Sequence, residues 1–364
     1  MHPNPYQPAS VTFMGTGTSG GVPTIACDCP TCKSDDPRDA RMRTAACVRW
    51  TDDAGKQRVV LIDAGPDLRM QALRHHLQRC DAILVTHNHV DHIFGLDETR
   101  RFNAANNMEP IDVYAEAYVW DALHRVYKHI FDRKSNFNDS FVASLLQHVI
   151  VGPERDAEQG GAIEAHRKDR VRDMARRTQG GAGEPIDMHG MRFTPVRFLH
   201  GGQPILGFRI EPVPGSGLAQ RCAAADGAAP GFPFAWCTDV SGVPAKTWQA
   251  LKGVRTMALD GLRHRHHPTH MTLEQACAVA ADMGADRTWL IHIAHEVLHA
   301  RDEPALPRHV RLAVDGLTVW ADGSSAVQRG PDQWEALPFE PHPREAGVPA
   351  GLPPRAVPAS EPPN

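Results

Sequence analysis

The sequence predicts an α/β fold whose sheets meet at one edge lined with metal-ligating side chains. Short apolar, β-branched runs alternate with helical segments from about Val11 to Trp320, the pattern of a layered sheet protein. Ligand-type residues recur where those runs end: His87, His200, Asp239 and His292. Strand ends on one edge of a layered sheet converge on a shared cleft, so these residues are expected to meet.

Val11–Met14 reads as the first strand, followed by Gly15-Thr16-Gly17-Thr18-Ser19-Gly20. Those letters fit G-x-G-x-x-G, but a dinucleotide site needs a helix opening at the last glycine. Gly21-Val22-Pro23 follows instead. The glycines are read as places where backbone passes close to the metal floor. Arg43–Trp50 and Gln57–Ile62 form paired strands around a turn at Asp53-Ala54-Gly55, and Leu68–Leu77 a helix. Asp81–Val85 is a buried strand, and a helix runs through Arg100 to Ala105. Ile111–Tyr114 is a strand and Glu116–Phe131 a helix whose Trp120, Leu123, Val126, Tyr127 and Ile130 belong to the core;. Met191–Phe198, Ile205–Glu211, Pro233–Cys237, Arg255–Leu259 and Arg287–Ile291 are further strands. Thr272–Met283 is a helix with Thr272 as N-cap and Gly284 past its end;. Pro214–Pro230 is expected to be a long hairpin loop.

The central motif is Thr86-His87-Asn88-His89-Val90-Asp91-His92. In extended backbone, residues two apart point the same way, so His87 and His89 can reach one ion. Asp91 and His92 come where the chain turns into a helix and can face a second. Imidazoles with carboxylates suit zinc, iron or manganese better than magnesium or calcium. A second motif, Cys27-Asp28-Cys29-Pro30-Thr31-Cys32, crowds three of the eight cysteines into one loop. It points to a metal and a reducing compartment rather than a disulfide framework. A closed zinc site wants four ligands, so one must come from elsewhere.

The His-x-His-x-Asp-His run resembles the signature of the metallo-β-lactamase superfamily, and the likeness extends over roughly Val11 to Trp320. The resemblance implies a four-layer αββα sandwich. It implies two divalent ions, zinc or manganese, with His87, His89 and His200 on the first. Asp91, His92 and His292 fall to the second, and Asp239 bridges them. Asp63 matches an acid that buttresses the metal loop. Within the superfamily the chain resembles phosphoribosyl 1,2-cyclic phosphate phosphodiesterases of phosphonate breakdown. Their pairing of C-x-C-x-x-C with a late histidine implies one structural zinc on Cys27, Cys29, Cys32 and His295. The residues alone leave open which of His292 and His295 serves which site. Pyrroloquinoline-quinone biosynthesis B proteins share the cysteine loop but tend to lack the full ligand run that this chain keeps.

The expected activity is a dinuclear metal-dependent phosphodiesterase on a small cyclic phosphate ester. Two such ions lower the pKa of a bridging water at neutral pH, with Asp91 in the catalytic set. The stretch Asp260 to His270 offers cationic and proton-donating groups, and His267 or His270 is expected to contact substrate phosphate or protonate the leaving oxygen. Alternatives are a ribonuclease Z-like endonuclease on transfer RNA and a thioester or lactone hydrolase on the same metals. A binding module with a relict site is a fourth, against which the complete ligand set speaks.

The net charge of −4 gives no global pull toward nucleic acid, which is the less favoured partner beside a small phosphorylated substrate;. No apolar run is long enough for a bilayer, and the first residues show no secretory signal, so a cytoplasmic location without membrane contact is expected;. The sequence leaves the oligomeric state open, and a homodimer is supported by the resemblance alone. The chain divides into an extension at 1–10, a hydrolase domain at 11–325 and a Pro-rich, disordered tail at 326–364;. An insertion at about 153–185 carries His166-Arg167-Lys168-Asp169-Arg170-Val171-Arg172.

Overall fold

The computed structural model describes residues 4–136, 140–152, 180–223, 230–330 and 333–339. The Arg-rich stretch of the expected insertion, and the tail from residue 340, lie outside them.

Two sheets stack face to face. The first runs β1 (Ala9–Gly15), β2 (Ala45–Thr51), β3 (Gln57–Ile62), β4 (Ala82–Leu84), β5 (Ile111–Ala115) and β6 (Leu145–Val149). The second begins with β7 (Ile186–Met188), β8 (Met191–His200), β9 (Gln203–Pro212) and β10 (Phe234–Cys237). It continues through β11 (Thr256–Asp260), β12 (Arg287–Ile291) and β13 (Val310–Leu312). Then β14 (Leu317–Trp320), β15 (Ser325–Gly330) and β16 (Gln333–Ala336) return to the first sheet beside β1.

Period-two side-chain alternation explains the layering. Along β3, Val60 and Ile62 join the core between the sheets, while Val59 and Leu61 face the outer helices. Along β12, Trp289 and Ile291 point inward and Leu290 outward. The inner core packs Phe13 against Trp236 at a tilt of 58°, ring centroids 5.3 Å apart, and Trp50 and Trp289 are fully buried. On the first sheet's outer face lie α1 (Leu68–Arg74), α2 (Val90–Ile93), α3 (Arg100–Ala105), α4 (Ala117–Val126) and α5 (Lys128–Phe131). After α6 (Gly217–Cys222), the helices α7 (Ala245–Ala250) and α8 (Leu273–Met283) connect strands of the second sheet, and α9 (His299–Asp302) follows β12. The result is the expected four-layer αββα order.

Strands β3 to β6 pair in parallel, as do β10 to β13. Helical crossovers of such strands leave their C-terminal ends along one edge, where open α/β sheets gather their ligands. The α8 N-terminus has a full capping box of Thr272 and Gln275, and Gly284 closes it at φ 66°;. At Gly15 an added Cβ would lie 2.0 Å from the Arg43 carbonyl, so the first glycine of the expected metal floor packs on the strand entering β2.

Several expectations shift. The Glu116–Phe131 helix breaks at Tyr127 (φ −108°, ψ 40°) into α4 and α5, and Val126 is exposed rather than core. The expected loop at Pro214–Pro230 holds α6, with Ser216 accepting from the Ala219 N–H at 3.0 Å. β15 and β16 extend the sheet past residue 325, pairing antiparallel at its edge, so the ordered chain outruns the expected boundary. β6 and α7 carry too short a periodic signal to stand out in sequence. No described helix is long and apolar enough to cross a membrane.

Candidate metal centre

Most residues of the site follow strand ends, while Asp91 and His92 lie in α2. β3 leads to Asp63, β4 to His87, β8 closes on His200, and β10 and β12 deliver Asp239 and His292. Asp63, Asp239 and His292 take left-handed backbone, with φ of 66°, 59° and 59°. Such conformations persist in non-glycine residues where the surroundings over-determine them. The two sheets are stitched at the site by the Leu206 N–H donating to the Thr86 carbonyl at 3.1 Å.

The fold brings the scattered residues together. Ligand atoms of His87, His89, His200 and Asp239 all lie within 4.8 Å of one another, and so do those of Asp91, His92, Asp239 and His292. Asp239 belongs to both groups. Its Oδ1 is 3.9 Å from His87 Nε2, and its Oδ2 is 3.2 Å from His92 Nε2 and 3.3 Å from His292 Nδ1. Asp91 Oδ2 stands 3.2 Å from His92 Nε2. All but His89 are buried.

Outer contacts choose which imidazole nitrogen faces inward. Asp63 Oδ2 accepts from His92 Nδ1 at 2.7 Å, while its Oδ1 accepts from the Thr86 N–H at 2.8 Å. Thr86 Oγ1 donates to Asp63 Oδ2 (2.9 Å) and lies 3.0 Å from His87 Nδ1, so it can accept that ring's proton. His200 Nδ1 donates to the Asp239 and Thr269 carbonyls at 2.9 and 2.8 Å. The inward nitrogens of His87 and His92, and His292 Nδ1, then lie buried without a hydrogen-bond partner. Unpartnered buried nitrogens are costly. Three of them around one carboxylate, in an imidazole and carboxylate donor set, fit divalent transition-metal ions.

Electrostatics agree. Burial pushes the His87 pKa well below its ordinary value, and those of His200 and His292 to about 4 and about 3. Burial alone would raise the Asp239 carboxyl, but the His292 and His92 imidazoles hold it well below the carboxylate range. His92 goes the other way: burial opposes its charge, yet Asp239, Asp63 and Asp91 outweigh that and hold it well above. Three buried carboxylates here attract a cation, and the neutral imidazoles of His87, His200 and His292 keep lone pairs to give it;.

The second cluster joins chain segments far apart in sequence. Cys27, Cys29 and Cys32 Sγ lie 3.1, 3.4 and 3.8 Å from His295 Nδ1. A tetrahedron with Zn–S near 2.3 Å and Zn–N near 2.0 Å has an N···S edge of about 3.5 Å. The Thr24 N–H donates to Cys32 Sγ at 3.3 Å and the Cys32 N–H to Cys29 Sγ at 3.5 Å. Cys29 falls to about 6 because hydrogen bonds from Cys32 and His295 outweigh its desolvation, whereas burial first, then the neighbouring thiols, push Cys32 up to about 11 against the Thr24 N–H. All eight cysteines are free. His295 thus stands with the cysteines and His292 with Asp239.

Beside these two donor groups lies His270. Its Nδ1 is 2.7 Å from Asp260 Oδ2, and its ring is 4.7 Å from those of both His200 and His292. Burial works against its charge, but Asp260 raises its pKa above the ordinary value. His267 is half-buried, its ring 5.1 Å from that of His270. The sequence reading missed Thr86 and the partner role of Asp260. Asp260 carried a usable signal, an acid at a strand end.

The fold and its donor groups define a metal-binding α/β sandwich with a paired site. A family model described as a beta-lactamase superfamily domain matches residues 58–293, so the chain belongs to the beta-lactamase superfamily. The crystal structure of a diphosphatase from the PhnP family is similar with TM-score 0.64 and 31% identity, over 85% of this chain and 96% of that one. Zinc-bound PqqB from Methylobacterium extorquens is similar in fold, with TM-score 0.56 and 19% identity over 85% of this chain and 99% of that one. Among curated proteins, an octanoyltransferase of Porphyromonas gingivalis is 31% identical over 85% of this chain and 51% of its own length. Coenzyme PQQ synthesis protein B of Xanthomonas campestris is 30% identical over 32% of this chain and 43% of its own. The chain spans about half the length of the curated relatives it matches. Family membership implies divalent metal ions, and the diphosphatase likeness supports a metal-dependent hydrolase.

Proposed function

We propose that the chain is a dinuclear metal-dependent phosphodiesterase acting on a small cyclic phosphate ester of the phosphoribosyl 1,2-cyclic phosphate kind. The observation that carries this is Asp239, one buried carboxylate facing two donor sets. His87, His89, His200 and Asp239 would hold one ion, zinc or manganese, and Asp91, His92, His292 and Asp239 the other. When bound, such a pair supplies a water of lowered pKa and neutralises charge on phosphoryl oxygens.

The chain's own side chains do the rest. Asp63 and Thr86 fix the imidazoles of His92 and His87. Asp260 holds His270 through Nδ1, so His270 Nε2 carries the proton for the oxygen that leaves phosphorus. Cys27, Cys29, Cys32 and His295 would hold a structural zinc outside the chemistry.

The test is phosphorus NMR of zinc- or manganese-loaded full chain with cyclic phosphates of phosphorylated pentoses and with bis-p-nitrophenyl phosphate. Ring opening to a phosphomonoester is expected, strongly slowed in His270→Ala with metal content intact. Metal-loaded protein that cleaves no phosphate ester would overturn the reading. The octanoyltransferase likeness favours one second reading, acyl-ester or thioester hydrolysis on the same site. An octanoyl thioester assayed in parallel separates the two.

A further inference from the structure

We infer that a second copy of this chain pairs with the outer edge of β6, strand to strand about a two-fold axis, joining two nine-stranded sheets. This association is independent of the reaction proposed above. β6 and β16 end the first sheet, and β7 and β13 end the second. An unpaired edge invites another strand, and proteins commonly blunt it with charge. Three of the four edges are blunted in this way. Glu335 of β16 pairs with Arg329 at 3.0 Å, Asp187 of β7 with Arg192 at 2.7 Å, and Arg311 of β13 with Glu303 at 2.6 Å.

β6 is the exception. Residues 140–152 contain no Asp, Glu, Lys or Arg. His148 turns away to Asp112 on β5, its Nε2 2.7 Å from Oδ1. Leu146 and Val149 are 48% and 53% exposed, and they stand on opposite faces of the strand;. The backbone is equally open. A parallel ladder uses alternate residues of each strand on a given side. The Ser144 carbonyl accepts from the Ile111 N–H at 3.0 Å, and the Ile150 N–H donates to the Ala115 carbonyl at 2.9 Å. By that alternation Leu146 and His148 also bond toward β5. The main-chain N–H and C=O groups of Leu145, Gln147 and Val149 then point off the sheet, where no described strand lies.

That pattern fits the same strand run antiparallel to itself. Centred on Gln147, the pairing sets Gln147 opposite the partner's Gln147 and Leu145 opposite the partner's Val149. These are the positions that exchange N–H···O bonds in an antiparallel ladder. An uncharged strand can face its own copy about a two-fold, whereas a charged one would set like charges opposite each other. The chain's other segments suit this edge poorly. Residues 153–179 carry 13 charged side chains, and residues 340–364 hold eight prolines, which lack the N–H that a ladder needs;.

The test measures mass by sedimentation equilibrium on the metal-loaded full chain, with hydrogen exchange across residues 140–152. Wild type should be a dimer whose Leu145, Gln147 and Val149 amides exchange slowly. Gln147→Lys and Gln147→Glu should each raise the dimer dissociation constant at least tenfold, because the new charge meets itself. Mixing the two variants should restore the dimer, since the Lys then faces the Glu. Gln147→Pro removes an N–H that β5 does not use and should also separate the copies, with urea midpoints reporting that each variant folds. A monomeric wild type would overturn the pairing, including one whose edge amides are protected by another segment of the chain. Fast exchange at those amides in a dimeric wild type places the interface elsewhere and overturns it without any variant. A dimer untouched by all three substitutions, or Lys and Glu forms that do not recombine, would do the same.

Discussion

Asp63→Asn separates shape from charge at the base of the site. Asp63 is fully buried at φ 66°, and asparagine tolerates that backbone about as well as aspartate;. The variant should therefore fold. Its amide, however, has one acceptor oxygen where the carboxylate has two. Asp63 serves the Thr86 N–H and hydroxyl at 2.8 and 2.9 Å and His92 Nδ1 at 2.7 Å. If the amide oxygen takes the Thr86 donors, its NH2 confronts the His92 Nδ1–H. The ring then moves its proton to Nε2, the nitrogen that faces Asp239.

One charge-assisted hydrogen bond is lost either way, about 1.5–3 kcal/mol. Expressed at the metal, loss of such an outer contact typically costs on the order of 10- to 100-fold in affinity. Chelator competition on the metal-loaded full chain should show that weakening at the His92 group, while metal affinity at the cysteine cluster is unaffected. Urea denaturation of the same variant reports any general loss of stability. Wild-type affinity for every ion in a folded Asp63→Asn protein would refute the buttress argument.

Three further outcomes follow from particular contacts. Gly65→Ala places a Cβ 1.9 Å from the Asp91 carbonyl, backbone against backbone. It should lower unfolding stability by more than about 3 kcal/mol or prevent folding, and an unchanged urea midpoint would contradict that. His295→Ala should lower zinc by one ion per chain in elemental analysis, and a full complement would detach His295 from the cysteines. His75 is buried with Nδ1 3.1 Å from Gln328 Oε1, and burial first, then Arg49, lowers its pKa to about 3. The folded form keeps it neutral while the unfolded chain takes a proton below about pH 6.5. Its contribution is thus complete above pH 6.5 and is lost toward pH 3, by up to about 1.4 kcal/mol per unit. His75→Gln should flatten the fall of the urea midpoint between pH 6.5 and 4.5.

Most of the site was legible because its residues mark strand ends. An apolar run followed by His87-Asn88-His89, or by Asp239, needs no knowledge of the other sheet to stand out. The frame was legible for the same reason, since the buried strands β3, β4 and β12 read as apolar runs. Short or polar elements were not. β16 spells Gln-Trp-Glu-Ala and owes its existence to pairing with β15, a contact invisible in local pattern;. Thr86 was silent because its function lies in which atoms it bridges, His87 Nδ1 to Asp63, and any strand can end in threonine.

The roles of His292 and His295 show what geometry adds. Two histidines three residues apart are equivalent by composition, and only the path of the chain between them separates them. The path is held at several points. The Ile293 N–H donates to the Thr16 carbonyl at 2.9 Å and the Thr18 N–H to the Ile293 carbonyl at 3.2 Å. The buried Arg41 guanidinium, paired with Asp39 at 2.9 Å, donates to the Ala294 and Val297 carbonyls at 3.3 and 3.0 Å. These bonds fix His292 in left-handed backbone facing Asp239 and turn His295 outward to the sulfurs. A strained ligand conformation needs such over-determination. The cysteine cluster is the far anchor of that segment, which is a physical reason for a thiol site in the first tenth of the chain to sit beside a centre completed near its end.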